Sequence, residues 1–279
     1  MNFFAVEIKR LIKSRTFWIS VCIGCIITVS QFLLFSLPVK KYLDDFQPMS
    51  IGTLNPQIWL EKWIGGELVS PQAFFFFLIF PIIAVLPFAA SLAFDRSSGY
   101  VAQFYIRGQR RNYYTAKYIT TFLSGGVAVL IPLVLNIFLT MTVFPSLLPD
   151  PSTGTSMIGT WSMWCDFYFA HPYLYVVLYL FIDFLFAGAI SVLALAIGRL
   201  VENSFVIISI PFLMYFGFYT VCSLGVLPDS FTRYSPFHFL SPAQRGVYNS
   251  IWAILGEWCL LMVISMAIYC IGAYKDEPI

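Results

Sequence analysis

The chain has 279 residues, 59% hydrophobic and only 11% charged, with a mean hydropathy of +0.80 and a formal net charge of +2. A soluble domain carries about a quarter of its residues charged, so the composition excludes an ordinary soluble fold and leaves an all-α integral membrane protein that crosses the bilayer several times. So small a net charge gives no footing for nucleic acid, and where the charges fall matters more than their sum.

Residues 1–16 place Phe4, Ile8, Leu11 and Ile12 at helical spacing, with Glu7, Lys9, Arg10 and Lys13 elsewhere around the helix and Arg15 near its end. That pattern predicts an amphipathic helix lying on the membrane surface. The uncharged run 17–37 is about 31 Å long as a helix, enough to cross a bilayer core of about 30 Å. A signal peptide would have a shorter apolar core and a small-residue cleavage site. This run ends Phe35, Ser36, Leu37, Pro38, so it is expected to stay as a first span. Cys22 and Cys25 form a CxxC spacing inside it with no second pair, which favours packing over redox or zinc chemistry. The six cysteines imply no disulfide framework.

Residues 39–72 mix charges with Trp59 and Trp63 and suit the outer side, with the tryptophans expected at headgroup level. A second span is expected over 73–94, bent by Pro81 and Pro87. Residues 95–117 then hold Arg96, Arg107, Arg110, Arg111 and Lys117 against a single acid, Asp95. Short loops rich in Lys and Arg stay in the cytoplasm. A third span is expected over 118–144, where Gly125 and Gly126 allow a neighbouring helix to come close. Residues 145–172 read as an external loop, 173–198 as the fourth span, and 199–203 as a short inner turn. The fifth span, 204–227, carries Pro211. Residues 228–250 are external but apolar enough to dip back into the membrane, and 251–274 form the sixth span before an inner stub.

Counting tests this orientation. With both ends inside, the inner segments hold Lys9, Arg10, Lys13, Arg15, Arg96, Arg107, Arg110, Arg111, Lys117, Arg199 and Lys275, against outer Lys40, Lys41, Lys62, Arg233 and Arg245. The asymmetry supports cytoplasmic termini and a single multi-pass domain over 1–279.

No phosphate-binding loop of the G-x-x-x-x-G-K-[ST] type occurs, and neither HExxH nor G-x-S-x-G is present, so no catalytic residue, metal ligand or cofactor is expected on this chain. Two acids interrupt apolar runs. Asp183 lies about 24 Å along its helix from Arg199, and Glu257 about 9 Å in from Ile251. Carboxylates in a membrane are expensive and often mark a pathway. Either they line a cavity, or they are hydrated near the interface or paired with Arg233 or Arg245.

The layout resembles the ABC-2-type permease family, the membrane subunits of ABC exporters whose ATPase is often a separate chain. EIKRLIKSRTFW, from Glu7 to Trp18, is similar to the family's elbow helix. Asp95, Arg96, Ser98 and Gly99, followed by IRGQRRNYYTAKYI from Ile106 to Ile119, are similar to its coupling region. The apolar segment 228–250 is similar to its external re-entrant helical hairpin. The resemblance implies a second permease copy or sister subunit and an ATPase dimer that holds ATP and Mg. It also implies a coupling helix near 103–112, in which Arg107, Arg110 and Arg111 meet acidic groups on the ATPase, supported by Asp95, Arg96, Gly99 and Lys117. Tyr113 and Tyr114 are expected to anchor that contact. The implied setting is a bacterial plasma membrane, and the expected cargo is an amphipathic or hydrophobic molecule such as an antimicrobial peptide, for export or self-protection. A different class also fits: an ATP-independent channel or proton-linked carrier working through Asp183 and Glu257.

Overall fold

The computed structural model describes residues 3–46, 57–67, 69–98, 110–151, 156–243 and 249–275. Among the described residues every regular element is a helix. They are α1 (Phe3–Lys13), α2 (Arg15–Gln31), α3 (Leu37–Phe46), α4 (Pro71–Val85), α5 (Ser91–Ser97), α6 (Arg110–Val143), α7 (Cys165–Ala170), α8 (Pro172–Ile197), α9 (Ser204–Ser223), α10 (Pro236–Leu240) and α11 (Ile251–Lys275). Among the described residues five helical stretches are long and apolar enough to cross a membrane: Arg15–Tyr42, Asn112–Val143, Pro172–Ile197, Ser204–Ser223 and Ile251–Ile271.

The first of these runs further than its apolar stretch predicts. A π turn at Phe32–Ser36 joins α2 to α3, so Pro38 lies inside a continuing helix rather than ending one. The stretch 73–94 departs the other way. It is broken into α4, whose 15 residues span about 22 Å, a turn over 86–90, and α5. Proline explains the break and also how it is tolerated. Pro87 has no N–H to offer the carbonyl of Ile83 one turn back, and Ser20 Oγ of α2 donates to that carbonyl instead, at 2.6 Å. The carbonyl of Pro87 in turn accepts from Thr16 Oγ1 at 2.9 Å. Neighbouring hydroxyls thus satisfy backbone groups that lipid could not.

Helix α8 is the centre of the bundle. It is apolar almost throughout, is buried on every side over 186–197 while Tyr173, Leu174, Val177 and Phe181 of its first half are exposed, and packs against α4, α6, α9 and α11. Small residues along 187–196 admit its neighbours closely. The α6 face is fitted to it by Gly125 and Gly126: a Cβ on Gly125 would stand 2.6 Å from Ser191 Cβ, and one on Gly126 would stand 2.4 Å from the Phe184 ring. Phe122 of α6 fills the matching space over Gly188 and meets Phe184 edge-on at 5.8 Å. Small residues opposite large ones give close contact where lipid supplies no hydrophobic drive between helices.

Two segments outside the long helices are built into the core. Trp59 and Trp63 are fully buried by the protein itself, with Leu60 and Ile64. Polar groups hold them there: Asn136 Oδ1 of α6 accepts from Ile64 N at 2.8 Å, and Gln31 Nε2 of α2 donates to the Lys62 carbonyl at 3.1 Å. Residues 235–243 likewise enter between α4, α8 and α9. There Phe239 packs on Phe186 at 4.9 Å, and Phe237 packs on Tyr219 at 4.2 Å.

Candidate functional site

Charged residues from three elements meet beside the end of α5 and the start of α6. Glu7 and Arg10 come from α1, Asp95 from α5, and Tyr113 and Lys117 from α6. Arg10 reaches Asp95 with both guanidinium nitrogens, at 2.6 and 3.1 Å, and Glu7 with one, at 3.0 Å. Lys117 Nζ donates to Asp95 Oδ2 at 2.6 Å and to Glu7 Oε2 at 3.1 Å, and Tyr113 Oη donates to Asp95 Oδ2 at 2.8 Å. Lys117 also sits over the Phe88 ring, 4.4 Å from its centre. Two acids balance two bases in a cluster where Glu7, Asp95 and Lys117 are almost completely buried.

Local sequence explains the convergence. Glu7 and Leu11 occupy the inward face of α1, while Phe4 and Ile12 are left on the outside. The apolar face expected from helical spacing is therefore split: Leu11 packs inward, Ile8 is half-buried, and Phe4 and Ile12 are exposed. Asp95 ends an uncharged run and Lys117 begins another, so each stands where a helix leaves the apolar layer. Burial works against a charged Asp95, yet the hydrogen bonds from Arg10 and the charge of Lys117 outweigh it and hold the carboxyl below its ordinary range. The paired carboxylates likewise hold the Arg10 guanidinium above its usual range, against the opposing effect of burial.

A second cluster adjoins the first. The Arg199 guanidinium lies between the rings of Tyr114 and Tyr269, 4.0 and 4.3 Å from their centres. Its carbonyl accepts from Arg96 Nη1 at 3.0 Å, tying the end of α5 to the turn after α8. Tyr269 Oη of α11 donates to the Tyr114 carbonyl at 3.0 Å.

These positions revise the expected contact surface. Asp95 and Lys117 face inward, so in this conformation neither offers its charge to a partner, because both are consumed by the internal cluster. Tyr113 and Tyr114, expected as anchors for a partner, are buried as well and brace α6 against α5 and α11. Glu7 has left the polar outer face of α1 to meet Lys117. Lys9, Lys13 and Arg15 are exposed and Arg96 is half-buried. Arg110 and Arg111 open α6. Gly99, Arg107 and most of the expected coupling helix lie outside the described residues.

The two membrane carboxylates differ. Asp183 is fully buried on α8, and neither of its oxygens has a hydrogen-bond partner among the described residues. Glu257 lines a cavity of about 1070 Å³ between α8, α9 and α11, and Arg233 and Tyr234 also reach its wall. Tyr215 is within electrostatic reach of both acids. The expected pairing of Glu257 with Arg233 is absent: Glu257 Oε2 has no partner among the described residues, while Arg233 Nε donates to the Ser230 carbonyl at 2.8 Å. Arg245 lies outside the described residues.

A third polar site was not anticipated. Glu67, buried before α4, accepts from the backbone of Val69 and Ser70 at 3.0 Å each, from the Ser70 hydroxyl, and from Gln31 Nε2 at 3.4 Å. It borders a small cavity shared with His238, whose imidazole burial holds below its ordinary pKa. The only signal in the sequence was an acid three residues before a helix-capping Ser. Among the described residues no group of three His, Cys, Asp or Glu could hold a metal ion. No protein-family model matches the chain, and neither a curated protein nor a solved structure matches it.

Proposed function

We propose that the chain is the permease subunit of an ATP-driven exporter of the ABC-2 type, driven by a separate ATPase dimer and working with a second permease. In this reading α4 and α5 together make the second of six crossings and α1 is the elbow helix on the cytoplasmic surface of a bacterial plasma membrane. Residues 235–243 belong to the external re-entrant hairpin.

One observation carries the reading: the buried cluster of Glu7, Arg10, Asp95, Tyr113 and Lys117 binds α1, α5 and α6 into one body, and the basic stretch 99–111 links α5 to α6 in sequence. A push received by that segment reaches the surface helix and two crossings at once, which is the stiffness that coupling to an ATPase requires. Arg107, Arg110 and Arg111 are the residues assigned to the ATPase. Asp95, Glu7 and Lys117 are assigned to the lever behind it.

The test is purification of the tagged chain in mild detergent with mass spectrometry of its companions. An ATPase with a phosphate loop should co-purify and be lost when Arg107, Arg110 and Arg111 are changed together to Glu, with membrane insertion intact. A pull-down unchanged by that triple variant rejects the coupling assignment.

A second reading rests on Asp183, whose carboxyl, buried and without a hydrogen-bond partner among the described residues, suits a proton-linked carrier. It requires transport that persists without ATP and is lost in Asp183→Asn.

A further inference from the structure

Helices α9 and α11 both pack on α8 but barely meet one another. The space between them is the cavity that Glu257 lines. Ile190 and Leu193 of α8 line it, as do Arg233, Tyr234, Pro236 and Ser250 from outside the long helices. Its volume, about 1070 Å³, is enough for a drug-sized molecule, since such pockets span about 300–1,000 Å³.

The glycines show that the room is built in. Gly125, Gly126 and Gly188 are filled against by neighbouring side chains. Gly217 of α9 and Gly256 of α11 both line the cavity, and a Cβ at either would meet nothing within 4 Å. Glycine in a helix costs about 1 kcal/mol relative to alanine, and here no close helix contact accounts for it. Larger residues at these two positions would narrow the cavity from both sides.

The wall is apolar apart from a few groups, and their placement is asymmetric. Arg233 is on the wall, hydrogen-bonded to the Ser230 carbonyl and 5.9 Å from the Tyr234 ring centre. Glu257 stands six residues along α11 from Ile251, about 9 Å deeper, with Oε2 buried and unpartnered among the described residues. A carboxylate in apolar surroundings is costly until a cation or donor reaches it.

We propose that this cavity binds a hydrophobic organic cation, an apolar body carrying one ammonium group that pairs with Glu257. The apolar walls take the body and the lone acid takes the charge. A bilayer phospholipid fits less well, because its phosphate and amine belong at headgroup level and the phosphate would be repelled by Glu257. Asp183 is not on the cavity wall among the described residues and takes no part. The site rests on the exporter reading only for the ligand being cargo; binding itself needs no ATPase.

The experiment uses the purified chain in phosphatidylcholine nanodiscs, without nucleotide or ATPase. The probe is the fluorescent amine dansylcadaverine, and its N-acetylated neutral form is the control. Saturable binding of the amine is expected, with the acetylated form weaker by about tenfold, as for loss of a charge-assisted hydrogen bond. Glu257→Gln should lose about the same factor, and Asp183→Asn should bind like the parent. If Glu257→Gln fails to fold, the double variant Gly217→Leu, Gly256→Leu serves instead, and it should lose binding while keeping the parent's elution and thermal unfolding.

Equal affinity for amine and acetylated probe, or undiminished binding by Glu257→Gln, overturns the proposal. So does native mass spectrometry showing a retained phospholipid that the glycine double variant releases, which makes the groove a lipid site. Loss of a dimer in that variant, by light scattering, makes it an interface between copies. A chain that binds the amine yet recruits no ATPase keeps this site and loses the exporter reading, and the reverse result does the opposite.

Discussion

Tyr215 of α9 donates its hydroxyl to the carbonyl of Phe77 in α4, at 2.8 Å. That carbonyl is the acceptor one turn before Pro81, which has no N–H to give it. The tyrosine fills a gap that the proline creates, and in doing so joins α4 to α9 deep in the bundle.

Tyr215→Phe keeps the ring and removes only this hydrogen bond, leaving a buried carbonyl unsatisfied. It should destabilise the chain by about 1–3 kcal/mol, seen as a lowered midpoint of thermal unfolding in detergent. The cost should shrink in a Pro81→Ala background, where α4 can supply its own donor. An equal loss in both backgrounds would mean that the bond to Phe77 is not what holds the hydroxyl.

The ionic cluster answers differently to different substitutions. Lys117→Met leaves Asp95 and Glu7 buried beside Arg10 alone, and Asp95→Asn leaves both bases with a single acid. Removing one member of a buried ion pair costs about 3–5 kcal/mol, so either change should strongly destabilise the chain. The double variant Asp95→Asn, Lys117→Met removes one charge of each sign and should be less damaging than the two single losses added together. Acid should weaken the cluster too. The folded carboxyl of Asp95 lies below its ordinary value, so its contribution is complete above the unfolded value of about 3.9 and is lost as pH falls through the lower folded value. In Asp95→Asn that part of the acid dependence should vanish from unfolding midpoints measured between about pH 5 and pH 2; an unchanged profile would assign the acid sensitivity to other carboxylates.

Much of the fold could be read along the chain, because apolar runs of bilayer length bounded by charge are a local signal. The stretches 118–144, 173–198 and 251–274 each coincide with a long helix, displaced by a few residues at most at several ends and more at the start of α6. The break after α4 was harder to place, since the same proline can bend a helix or end it according to which hydroxyls stand nearby, and Ser20 and Thr16 come from elsewhere in the sequence. The site divides the same way. Asp95 and Lys117 stand out because one ends an uncharged run and the other begins one, but their partner Glu7 is separated from Lys117 by 110 positions, and nothing in local periodicity reports such a meeting. The burial of Trp59 and Trp63 by protein is hidden for a related reason. Composition cannot show that a tryptophan will be enclosed by the backbone hydrogen bonds its neighbours make to Asn136 and Gln31. Glu257 could be seen as an isolated acid, whereas the cavity beside it arises from how three helices pack.

The glycine pair of α6 offers the clearest separation between packing and empty space. At Gly125 an added Cβ would meet Ser191 Cβ at 2.6 Å and the carbonyls of Ala187 and Ala84 at 2.8 and 2.9 Å. Two of those three atoms are backbone and cannot swing aside. Gly125→Ala must therefore push α6 away from both α4 and α8, and overpacking of this kind costs about 1–3 kcal/mol despite the better helix propensity of alanine. At Gly126 the obstacle is the Phe184 ring, a side chain with some freedom, so Gly126→Ala should cost less, and Phe184→Leu should recover part of the loss. Thermal unfolding of the three variants orders them directly. If Gly125→Ala proved as stable as the parent, the close approach of α6 to α8 would have to be relaxed, and with it the central place of α8 in the bundle.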